Sequence, residues 1–130
     1  MDFSSTIELD LPYAEAVSKV REALAAQGFG VLTEIDVRAT MQAKLGESME
    51  DYVILGVCNP PLAHRALSVD RTIGLMLPCT VVVRGLGDQR TAVDFLDPAV
   101  LATVPGRVEL EPIAAEAAAR INAARDALTS

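Results

Sequence analysis

The chain has 130 residues, 51 % of them hydrophobic and 22 % charged, and carries a formal net charge of −7. That length suits one domain, residues 1–130, whose core needs no staples, and the composition excludes a disordered chain. With no basic cluster, the negative charge argues against a nucleic-acid partner, because phosphate binding draws on clustered Lys and Arg. The apolar runs are too short to cross a bilayer, so a soluble acidic protein without a membrane partner is expected. Met1-Asp2-Phe3-Ser4-Ser5 lacks a basic region followed by an apolar segment, which leaves a cytoplasmic location as the expectation. Cys58 and Cys79 are too few for a disulfide framework and lack C-x-x-C spacing, so reduced thiols are expected.

Phe3 to Leu9 alternates, with Phe3, Ser5, Ile7 and Leu9 on one side, and predicts a half-buried strand. Pro12 opens a helix that runs to Gln27, its stripe made by Tyr13, Val17, Val20 and Leu24, with Gly28 as the residue that ends it. Phe29 to Ile35 predicts a second strand with Phe29, Val31, Thr33 and Ile35 facing the core and Glu34 facing away. Asp36 caps a short helix whose Val37, Met41 and Leu45 recur every four residues before Gly46. After a polar loop, Glu47 to Asp51, the third strand spans Tyr52 to Cys58, apolar on both faces and therefore in need of cover on both.

Asn59 is a good N-cap and Pro60 a good first helical residue, so a helix is predicted from there to about Val69, with Leu62 and Ala66, and Ala63 and Leu67, as i, i+4 pairs. Ile73 to Met76 leads into a fourth strand, Leu77 to Arg84, in which Pro78 requires an edge, a bulge or a first position. Gly85 to Asp88 is a turn, and Gln89 to Phe95 completes a hairpin with Val93 and Phe95 inward. Asp97-Pro98 starts a short turn of helix through Ala102, and Pro112 starts a helix to about Leu128 with Ile113, Ala117, Ile121, Ala124 and Leu128 inward. No internal repeat is present. Five strands with two long helices make an α+β domain, a sheet backed by helices on one face. The other face, with Leu32 and Val82, is a natural surface for a second subunit.

Three stretches carry a family resemblance: Gly28 to Val37, Ile54 to Pro60 and Ile73 to Cys79. With them the chain resembles, nearly end to end, a prokaryotic family of unknown function, number 302 among the domains of unknown function. The resemblance implies a β-α-β(4)-α fold similar to the TATA-binding-protein shape, with short extra helices in the connections, and a homodimer. It implies no activity, substrate or catalytic residue.

The residues that suggest chemistry gather where the third strand meets its helix. A thiol just before a helix N-terminus can have a lowered pKa and act as a nucleophile or a soft-metal ligand, which makes Cys58 the first candidate; the plain alternative is a small buried hydrophobe. Cys79 shares a strand face with Leu77, Val81 and Val83, which favours a core position. His64, the only histidine, is a candidate base for Cys58 or a surface side chain beside Arg65. Were Cys58, His64 and Cys79 to converge, they would form a soft donor set for copper(I) or zinc, with Met41 or Met76 as an addition. Glu34 and Asp36 form a carboxylate pair, or else a solvated side chain and a helix cap. The glycines match no phosphate-binding loop.

Three functions stay open on these grounds: a dimeric module binding a small ligand or soft metal at Cys58, Asn59, His64 and Cys79; a thiol-dependent enzyme with Cys58 as nucleophile; and a structural subunit of an assembly. No cofactor is named by the residues.

Overall fold

A computed structural model describes residues 3–129. Five strands form one antiparallel sheet: β1 (Ser4–Leu9), β2 (Gly30–Asp36), β3 (Tyr52–Cys58), β4 (Cys79–Gly87) and β5 (Arg90–Leu96), in spatial order β1-β5-β4-β3-β2. The long helices α1 (Tyr13–Ala26) and α5 (Glu111–Thr129) lie against each other on one face. Shorter helices, α2 (Val37–Leu45), α3 (Pro60–Val69) and α4 (Val100–Thr103), and two 3-10 turns, Arg71–Met76 and Val108–Leu110, fill the connections. The α+β architecture is the one expected.

Periodicity accounts for the helices. The buried side of α1 is Ala16, Val20 and Leu24 at four-residue spacing, with the expected Tyr13 and Val17 only half-buried beside it, and that of α5 includes Ala117, Ile121 and Ala124, whose two alanines are small enough for close approach. Past α1 the chain reverses through Gly28, whose φ of +84° suits glycine, while the Phe29 N–H donates to the Leu24 carbonyl at 3.0 Å, five residues back across the turn.

Two cores result. The first packs Val53, Leu55, Val57, Val81, Val83, Val93 and Phe95 of the sheet against α1 and the C-terminal half of α5. The second joins Leu62 and Ala66 of α3, Ile73, Leu101 and Leu110 to Ile113, Ala114 and Ala117 at the start of α5. Cys79 packs against both.

Four local expectations are corrected. Val31 pairs with Val57 but Thr33 with Gly56, so Leu32 is an extra residue and β2 changes phase there. Beyond this bulge Thr33 and Ile35 face away from the helices, both exposed, Ile35 to 48 %, while Glu34 turns toward them and pairs with Arg21 of α1. Phe3 lies before β1 and is exposed. The amphipathic reading of 37–45 buries nothing fully, and Leu45 is exposed. Finally, the residues before Cys79 do not extend β4: they form the 3-10 turn and a cis Leu77–Pro78 peptide.

The sheet face opposite the helices carries Ile54 on β3, Val82 and Arg84 on β4 and Asp94 on β5, none of which belongs to the buried core. At its centre Asp94 accepts from Arg84 Nε at 2.8 Å and from Thr6 Oγ1 at 2.6 Å. Partial burial disfavours the Asp94 carboxylate, but the two donors outweigh it and hold its pKa below the usual range. No helix among the described residues is long and apolar enough to cross a membrane.

Candidate functional site

The junction of β3 and α3 is built around Asn59, which is 8 % exposed. Its Oδ1 accepts from the Leu62 N–H at 3.4 Å, its carbonyl accepts from Ala63 N–H at 2.9 Å, and its Nδ2 donates to the Gln27 carbonyl at the end of α1, also at 3.4 Å. One side chain therefore caps α3 and ties it to α1. A Cβ on Gly28 would lie 2.9 Å from Asn59 Nδ2, so the glycine also makes room for the amide.

This geometry removes the reason for a thiolate at Cys58. A helix N-terminus favours an anion through unpaired N–H groups. Here the first two helical residues are Pro60 and Pro61, which have none, and the next N–H is taken by Asn59. What remains is desolvation: partial burial pushes the Cys58 thiol up from its ordinary value. Cys79 is pushed up as well, by burial first and then by the proximity of Cys58. Both thiols keep their protons at neutral pH.

Cys58 and Cys79 lie near each other, but His64 does not join them, so the three candidate donors do not converge. Val57 is the register partner of Cys79, and both belong to the helix side of the sheet; Cys58 is one residue out of phase and packs against neither core. His64 is exposed. It sits two residues from both Leu62 and Ala66, the buried side of α3, and a step of two residues is about 200° around a helix. Among the described residues no three His, Cys, Asp or Glu side chains come together as a metal site. Met76 packs against the second core, and Met41 belongs to neither.

Glu34 and Asp36 have structural partners. Glu34 pairs with Arg21, and Asp36 caps α2 by accepting from the Ala39 N–H at 2.9 Å. With Asp51 they surround Tyr13, a grouping not evident from the letters because Asp51 arrives from a distant loop. Burial, then Asp51, Asp36 and Glu34, push the Tyr13 phenol up to about 12, so it too stays protonated.

What the junction does hold is a cavity of about 20 Å³, room for about one water molecule. Its walls are apolar side chains of both cores, among them Phe29, Val57, Leu62 and Ile113, with Cys58, Asn59 and Cys79 on its border. Asn59 is the one amide there. The cavity thus brings together three of the four expected site residues and leaves His64 outside.

The profile of a domain of unknown function, DUF302, matches residues 5–128. The crystal structure of an uncharacterized conserved protein DUF302 from Bacillus stearothermophilus is similar over 98 % of this chain and 99 % of that one, with 30 % sequence identity and a TM-score of 0.89. No curated protein matches the chain.

Proposed function

The chain belongs to the DUF302 family, and from that footing we propose that it is a homodimeric binding module that takes a small, uncharged, mainly apolar ligand at the β3–α3 junction. The observation that carries this reading is the apolar cavity at the seam of the two cores, bordered by a single amide. A charged ligand would be desolvated there without a partner. A soft-metal site loses its third donor with His64 outside, and a thiol nucleophile loses its activation once Pro60 and Pro61 leave the helix start without free N–H groups.

The test uses xenon as the probe. Methyl resonances of Leu62, Leu101 and Ile113 are expected to shift saturably under xenon pressure as the apolar walls yield, since xenon is larger than the single water the resting cavity has room for. Ala66→Leu, which fills the space from α3, is expected to abolish the response. No saturable shift in the unsubstituted protein would overturn the reading.

The dimer half rests on the second sheet face. Leu32 is 65 % and Ile35 48 % exposed, and the half-buried Ile54 and Val82 add to the same side. Light scattering at micromolar concentration is expected to give twice the 13.8 kDa chain mass. A monodisperse monomer refutes this half and leaves the cavity untouched.

A further inference from the structure

The cavity lies where two separately packed cores meet, and, apart from the buried Asn59, the polar ties holding the second core closed are on the surface. At the near end α3 is fixed to α1 through Asn59 and Gln27. Along its length, Arg65 reaches Glu116 on α5 at 3.3 Å. At the far end Asp70, which begins the 3-10 turn, accepts from Arg107 at 3.0 Å, and Arg107 also holds Glu109 at 2.8 Å. These side chains are between 27 % and 52 % exposed. Such pairs contribute little each and weaken in salt. The fully buried apolar anchors of the segment are Leu62, Ala66 and Ile73, with Leu67, Val69, Met76 and Leu77 partly buried on the same core. Leu77, at the end of the turn, is itself part of the cavity wall.

We infer that α3 and the 3-10 turn behind it form a flap that opens about the Asn59 anchor and admits small molecules to the cavity, with the Arg65–Glu116 and Arg107–Asp70 pairs setting how often it opens. The inference deepens the binding-module reading by naming the route to its site. Opening uncovers the second core alone, so it requires less free energy than global unfolding. The first core, with the whole sheet, stays packed.

Cys79 is the reporter, since it borders the cavity and packs against both cores; it is only partly buried, so the change in its rate with the substitutions and salt, rather than the basal rate, reads the flap. The alkylation rate of Cys79 by iodoacetamide is measured at one pH in the full-length Cys58→Ser protein, over a range of urea concentrations below the unfolding transition. The expected result is labelling faster than global unfolding allows and nearly independent of urea at low concentration. Arg65→Ala and Arg107→Ala should each raise the rate by about two- to fivefold, and about 1 M salt, where the screening length is about 3 Å, should produce a similar rise. The urea midpoint of global unfolding should barely move. Labelling that follows global unfolding throughout, or a rate indifferent to both substitutions and to salt, overturns the inference. Because no ligand is used, its failure is distinguishable from that of the binding module: a flap that opens over a cavity refusing xenon sinks only the latter.

Discussion

Gly56→Ala is expected to lower the stability of the protein by about 1–3 kcal/mol, read as a lower urea midpoint at unchanged slope. The direction is informative because glycine in a strand is ordinarily a weakness, and alanine there reduces the freedom of the unfolded chain. Here the space is taken. On the face away from the helices, a Cβ at Gly56 would sit 2.8 Å from Pro78 Cγ and inside contact distance of Thr33 Oγ1. The threonine is exposed and can rotate, whereas the proline ring cannot. Thr33→Ala in the same background should therefore recover part of the loss and no more. An alanine variant as stable as the original would show that β2 and the residues before β4 yield easily, and that their close approach to β3 is incidental.

Asn59→Ala should cost about 1–2 kcal/mol, the usual worth of an N-cap together with one further hydrogen bond. The carbonyl of Gln27 is not orphaned by the change, because Arg120 Nη1 also donates to it at 3.4 Å, and this keeps the loss moderate. Asn59→Asp separates the two roles. Its carboxylate still accepts from the Leu62 N–H, yet it cannot donate to Gln27 and instead sets an anion against a carbonyl oxygen in a buried place. Urea denaturation should accordingly rank the aspartate variant below the original despite the intact cap. Equal stability of the two would mean that the tie from α3 to α1 contributes nothing, which would also remove the anchor about which the flap turns.

Local chemistry in the letters was enough for the element order, for the buried stripes of α1 and α5, and for the caps at Asp36 and Asn59, since each depends on residues within a few positions of one another. Two facts about the site were also present there and point against a reactive thiol. Pro60-Pro61 states that the helix opens without donors, and the Leu62 and Ala66 pair states that His64 faces outward. The phase of β2 is different. Phe29, Val31, Thr33 and Ile35 alternate without a break, and only the register against β3 at Gly56 shows that Leu32 is extra. The company of Tyr13, the packing of Cys79 against two cores and the cavity beside Asn59 likewise rest on segments far apart in the chain. Sequence by itself determined which elements form, because helix and strand periods and caps are short-range. Tertiary structure alone decided which residues share a cavity, because that depends on how separately formed surfaces meet.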